Sequence, residues 1–433
     1  MPSTNAIPTF AHALSVLKDP AAAAAQITRQ IDESLGSRPS LVVFNASGEH
    51  ARCAGDVGEF IKQETGADHV IGCSAAGVVG GSAEIERHSA ISALAASLPN
   101  VTVTPIHPPA IERITDPNSP ECLASLLPQN HPHICTFLFA DPASTPIASL
   151  IDSLGRAHAS APGKAVLFGG IASGSAHAGG NTLSLDGAAY FGGAVAVALS
   201  GDLSCDIAVS QGCRPVGPGM RVTSAKGNLV LRLDGKPALE VLREIVRGIS
   251  QSDRKLLAGG LFLGRSIHDH KAHLGRGDFL VRNLVGADEA SGGIAVADIF
   301  PEGATVRLHF RDATTATEDL ELLLDAQQLH GPPSGAFLVT CLGRGERFFG
   351  KQNHDAVAVQ RAFLPQESGS ESAKAGDSLG PHSAPVPLAG FFAAGEIGPI
   401  GGQTFLHGYT ACLACFRPRE ESSDGYRASS QQV

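Results

Sequence analysis

The sequence predicts an α+β protein: two layered α/β domains whose sheets are mixed or mostly antiparallel. Three observations lead there. Apolar, β-branched runs alternate with helical segments along the chain. The strands between helices follow one another as in hairpins, which argues against a doubly wound parallel sheet. A short glycine pattern also recurs, as GCSAAG at 72–77, GGIASG at 169–174 and GFFAAG at 390–395, with a looser copy GGLFLG at 259–264. Each copy follows a helical stretch and precedes a strand. The recurrence predicts a strand-helix-strand-strand unit used four times, as two pairs. Domains are therefore expected at 1–210 and 211–416, followed by a polar tail at 417–433.

The elements support this in order. Asp19-Pro20 before AAAAAQITRQIDESLG supplies a cap, a proline at the first helical position and Gly36 as a stop. SLVVFNAS (40–47) reads as a strand, 51–65 as a helix ending at Gly66, and DHVIGCSAAGVVGG (68–81) as a strand entering a glycine turn. HSAISALAASL (88–98) and VTVTPI (101–106) are further strands. HICTFLFAD (133–141), a helix over 145–159, AVLFGGIASG (165–174), AAYFGGAVAVALS (188–200) and LSCDIAVS (203–210) repeat the order. Beyond it, PALEVLREIVRGI (237–249) is helical and DFLVRNLVG (278–286) a strand. A short helix at about 355–362 and the strand FLHGYTACLACF (405–416) surround the last copy. The Ser/Gly/Pro-rich stretch 366–385 predicts a disordered surface loop.

Composition excludes several classes. The chain has 433 residues, too many for one ordinary core. Its net charge of −10 repels phosphate backbones, so nucleic acid is not an expected partner. The apolar runs are too short to span a bilayer, and the N-terminus lacks the charge and apolar pattern of a signal peptide. Nine scattered cysteines fit reduced thiols in the cytoplasm, or alternatively the nucleus. The sequons at Asn45 and Asn100 then carry no glycan. No cofactor or metal is expected.

Candidate chemistry is sparse. No glycine loop has G-x-G-x-x-G spacing or leads into a helix as a phosphate cradle does. Cys412 and Cys415 form a C-x-x-C without a second pair, and positions i and i+3 of a strand face opposite ways. His268, His270 and His273 form H-D-H-x-x-H, open to a metal reading but more often an exposed loop. Cys73, Ser74 and Ser173 sit at glycine turns without the G-x-S-x-G of a nucleophile elbow. More telling are polar residues inside or capping apolar strands: Arg282-Asn283, Arg311-Asp312, Arg344, Glu396 and His407. They read either as buried ion pairs that fix strand register or as the lining of a pocket. A guanidinium with a carboxylate suits a zwitterion such as an amino acid.

Those residues fall in segments that resemble the FIST family (F-box and intracellular signal transduction). VIGCSAAGVVGG (70–81) resembles the signature of its N-terminal domain, and GCRPVGPGMRVTSAKGNLVLRLDGKPALEVL (212–242) the junction. The C-terminal domain is resembled by RGDFLVRNLVGAD (276–288), ATVRLHFRDATTATEDL (304–320), CLGRGERFFGKQNHD (341–355) and GFFAAGEIGPIGGQTFLHGYTA (390–411). The resemblance runs from about residue 10 to residue 416. It implies a non-catalytic, intracellular sensory module that binds a small ligand, with amino acids as candidates. The expected ligand-binding set is Arg282, Arg344, Asn353, Glu396, Gly398 and His407. Little sequence flanks the resembling region, so neither an F-box nor an output domain is expected, and a protein partner would supply that function. A substrate adaptor of a ubiquitin ligase is the first alternative. A hydrolase using Cys73 or Ser74 is the second.

Overall fold

The computed structural model describes residues 7–116, 131–160, 165–267, 274–364 and 386–419. The H-D-H-x-x-H run, the stretch expected to be a loop at 366–385 and most of the polar tail lie outside these residues.

One pattern of elements occurs three times. The first unit is β1 (Thr9–Ser15), α1 (Pro20–Leu35), β2 (Leu41–Ser47), α2 (Ala54–Thr65), β3 (His69–Ala75), the hairpin β4 (Gly77–Gly80) and β5 (Ala83–Glu86), then β6 (Ala90–Ser97). The second is β7 (Val101–Ile106), α3 (Pro108–Thr115), β8 (His133–Ala140), α4 (Ile147–Ser160), β9 (Val166–Ile171), the hairpin β10 (Leu183–Leu185) and β11 (Ala188–Tyr190), and β12 (Ala194–Gly201). The third begins with β13 (Leu203–Gln211) and is interrupted by an insertion. That insertion is a separate antiparallel sheet of β14 (Cys213–Lys226), β15 (Leu229–Leu233), β16 (Lys236–Pro237), β17 (Leu261–Ser266), β18 (Phe279–Asp288), β19 (Gly293–Val296) and β20 (Thr305–Arg311), packed on α5 (Ala238–Gly248). The unit then resumes with α6 (Ala313–Gln328), β21 (Gly335–Cys341), α7 (His354–Ala362), β22 (Leu388–Ala393), the hairpin β23 (Glu396–Ile400) and β24 (Gln403–His407), and β25 (Thr410–Pro418).

The three sheets have the same strand order, and each is completed by a hairpin from another unit. They run β1-β6-β2-β3-β10-β11, β7-β12-β8-β9-β23-β24 and β13-β25-β21-β22-β4-β5. Within each, one pair is parallel (β2–β3, β8–β9, β21–β22), and the other neighbours are antiparallel. The α+β class with mixed sheets is therefore as the sequence predicts. The repeat count differs, because the unit occurs three times rather than four. GGLFLG lies on β17, which has antiparallel neighbours on both sides and no parallel partner. In a chain with 50 glycines, a spacing pattern does not encode which strand is adjacent.

Local sequence explains the elements. Asp19 accepts a hydrogen bond from the Ala22 N–H at 2.8 Å, Pro20 opens α1, and Gly36 closes it at φ +64°. Ala23, Ile27, Ile31 and Leu35 form its buried stripe. Alternation then sorts each central strand. Val42, Phe44 and Ala46 of β2 face the helices, while Leu41 and Val43 face a core shared by all three sheets. That core is rich in phenylalanine: Phe137 packs edge-on against Phe168 and Phe337, and stacks on Phe416.

The recurrent glycines sit where the units meet. Gly72, Gly169 and Gly390 occupy equivalent places on β3, β9 and β22, each beside an incoming hairpin strand. A Cβ at Gly390 would lie 1.9 Å from the Leu338 carbonyl oxygen, a backbone atom that cannot swing away. Gly390→Ala is expected to destabilise the fold by about 1–3 kcal/mol or more, read as a lower urea midpoint. Ser173 ties the three turns together. Its hydroxyl accepts from the Ala76 N–H at 3.0 Å and donates to the Phe392 carbonyl.

Candidate functional site

The insertion leaves the third unit after Gly212 and returns at Asp312, so Cys213 and Arg311 are paired across its base. Beneath that base lie the end of β21, the start of β23 and the β24–β25 turn. A group of buried polar side chains collects at this seam.

Arg344 follows β21 and is 1% exposed. Its Nε and Nη2 donate to Asp355 Oδ2 and Oδ1, both at 2.9 Å, and its third nitrogen, Nη1, has no partner. Asp355 also accepts from Thr340 Oγ1 and His354 Nδ1, each at 2.8 Å. Burial opposes its charge, yet Arg344 and His354 hold its carboxyl well below the ordinary range. Gly212 packs against this seam, where a Cβ would lie 2.7 Å from the Tyr409 carbonyl oxygen and 3.4 Å from Nη1.

Glu396 opens β23 with no exposed surface. Oε2 accepts from the Thr410 hydroxyl at 2.7 Å and the Thr410 N–H at 3.2 Å. Oε1 has no well-formed hydrogen bond, and the weak Cys341 thiol lies close to the carboxyl. Burial pushes the carboxyl up to about 8, against the pull of Thr410, Cys341 and the charge of Arg344. Arg344 is thus near Glu396 electrostatically but is ion-paired to Asp355.

Arg311, which follows an apolar strand in the sequence, is outside the expected binding set. It lies between the rings of Phe348 and Tyr409, 4.3 and 4.5 Å from their centroids, and donates to the Gly343 carbonyl. Its Nε is buried and unpartnered. Tyr409 takes a left-handed φ of +64° in the β24–β25 turn, and its hydroxyl accepts from Asn283 Nδ2 at 2.9 Å.

The other expected residues divide. Arg282 pairs with Asp298 at 2.9 Å, and its charge reaches both Glu396 and His407. His407 lies opposite Glu396 in the β23–β24 register and donates Nε2–H to the Gly398 carbonyl at 2.9 Å. Burial lowers it to about 4, so it is a neutral strap on the hairpin. Gly398 faces the shared core, where a Cβ would meet Val209 and Cys412 at 3.0 and 3.1 Å. Asn353 lies apart. At φ +60° it precedes α7 and accepts from the Glu84 N–H at 2.7 Å, anchoring the hairpin lent by the first unit. Asp355, which closes the CLGRGERFFGKQNHD segment, is not in the expected binding set. Only the fold places it against Arg344.

The nucleophile candidates lie elsewhere. Cys73 is fully buried, accepts from Asn45 Nδ2 at 3.2 Å, and burial drives its thiol far up, away from thiolate character. Ser74 donates to Asn181 and accepts from the Thr182 N–H, which makes it a turn residue. Cys412 and Cys415 point into two different cores from opposite faces of β25. Among the described residues no helix is long and apolar enough to cross a membrane.

Residues 40–236 match the FIST N domain and 238–399 the FIST C domain. The chain belongs to the FIST family. FIST domains are associated with sensory, small-ligand-binding signal transduction. The FIST C match contains Arg282, Arg344, Asn353, Glu396 and Gly398 and ends before His407. Relatives extend over nearly the whole chain. The uncharacterized protein Rv0628c of Mycobacterium tuberculosis is 36% identical across 93% of this chain and 98% of its own length. The uncharacterized protein Mb0898c of Mycobacterium bovis is 37% identical across 89% of this chain and 92% of its own.

Proposed function

We propose that this FIST protein is a sensory protein binding a small zwitterion, of the amino-acid class, at the seam below the inserted sheet. One observation carries the reading. Three buried atoms, Arg344 Nη1, Arg311 Nε and Glu396 Oε1, have no hydrogen-bond partner, and Arg344 is within electrostatic reach of both Arg311 and Glu396. Buried polar atoms are ordinarily satisfied, and an exception calls for an explanation. The guanidinium N–H groups suit a carboxylate, and Glu396 suits an ammonium. Because Glu396 holds its proton up to about pH 8, capturing an ammonium at neutral pH expels that proton.

The test is a thermal-shift screen against the amino acids, followed by calorimetry of any hit. One amino acid should raise the melting midpoint, and Glu396→Gln should abolish that rise while melting cooperatively. Affinity should strengthen about tenfold per pH unit up to about pH 8. If no amino acid stabilises the protein, or if Glu396→Gln binds as wild type does, the reading fails.

A further inference from the structure

The three units place equivalent clefts at the ends of β2, β8 and β21, each closed by the residue preceding β6, β12 or β25. Gly48 meets Ser89, the Asp141 N–H donates to the Gly193 carbonyl, and Gly343 meets Tyr409. The third cleft is the seam already described. The second is satisfied from within. There Asp141 Oδ2 accepts from the Ala143 and Ser144 N–H groups and the Ser144 hydroxyl, and Oδ1 from Asn181. The first is open, with a volume of about 700 Å³, within the usual span for small-molecule sites.

Its lining is cationic on an acidic protein. Lys18, Arg52, Arg87 and His88 surround it, with Glu49 as the one carboxylate. The whole chain carries 42 acidic and 32 basic residues, so this local excess runs against the overall charge. Among the described residues, none of Lys18, Arg52 and Arg87 enters an ion pair. The groove also offers the apolar side chains of Val16 and Ile85.

We infer that the groove at the end of β2 binds a small organic phosphate, a compound with at least two negative charges and an apolar or planar body, such as a nucleoside diphosphate. Arginine forks match phosphate oxygens bidentately, and lysine adds a point charge. Val16 and Ile85 would cover the uncharged part. This site is separate from the seam and does not depend on it.

The experiment is titration calorimetry of the full-length protein with ADP. Saturable one-to-one binding is expected, weakening several-fold between about 50 mM and about 200 mM salt as the charges are screened. The double variant Arg52→Glu with Arg87→Asn should lose at least about tenfold in affinity at an unchanged melting midpoint. Asparagine is chosen because position 87 sits at φ +59°, which it tolerates. Glu396→Gln should bind ADP as wild type does. Absence of ADP binding, or binding that the double variant leaves intact, overturns the inference.

Discussion

Replacing Glu396 by glutamine is expected to make the protein more stable than the wild type at alkaline pH, by a margin that builds between about pH 4.5 and about pH 8 and then levels off. In the unfolded chain the carboxyl gives up its proton near 4.5, whereas in the fold burial holds the proton to about 8. The folded state therefore binds more protons across that window, and stability falls as pH rises through it. Above about pH 8 the native state contains a buried carboxylate with one unsatisfied oxygen. The accumulated loss is on the order of 5 kcal/mol, a large share of a typical folding free energy. Glutamine cannot ionise and can still accept from Thr410. Urea unfolding of both proteins from pH 4 to pH 9 reads the difference directly. Glu84 is also pushed up to about 8, by burial and the adjacent Asp355 carboxylate, so both proteins keep a slope of that origin. Curves for the two proteins that run parallel would sink the assignment to Glu396.

Arg344→Met should cost about 3–5 kcal/mol, because it strands Asp355 as a buried charge without its bidentate partner. The loss should be largely recovered in the double replacement Arg344→Met with Asp355→Leu, since an apolar pair of similar volume often substitutes for a buried ion pair. A double-mutant cycle on the four proteins measures the coupling. Additive costs would mean that the two side chains act independently, contrary to the 2.9 Å contacts between them.

Much of the architecture was legible in the residues. Capping at Asp19 and Gly36, the strands around the glycine turns, the mixed sheets and the opposed faces of Cys412 and Cys415 all follow from local rules. What escaped was pairing between distant segments. Nothing local to GVVG at 77–80 says that it extends the sheet of β22, more than 300 residues away. GGLFLG looked like another copy because glycine spacing reports close packing, and β17 also packs closely, its Gly264 against the His309 ring. The site divides along the same line. Arg344, Glu396 and Arg282 were visible as polar residues interrupting apolar strands, whereas Asp355 could be matched to Arg344 only across a turn and a helix start. Asn353 drew notice through its segment alone, and its left-handed backbone has a local structural purpose.

The exchange of hairpins has a consequence for how the chain is made. Each unit lends one hairpin and borrows another, so none of the three repeated sheets is complete within a single unit. β25, which follows every other described strand, is inserted between β13 and β21, and its Phe416 stacks on Phe10 of β1 at 5.5 Å. The two ends of the described chain therefore meet in the shared core. During synthesis that sheet stays open until the ribosome has delivered its last strand. Native folding then proceeds through contacts of long sequence separation, a topology that folds slowly and depends on the nascent chain being shielded in the meantime.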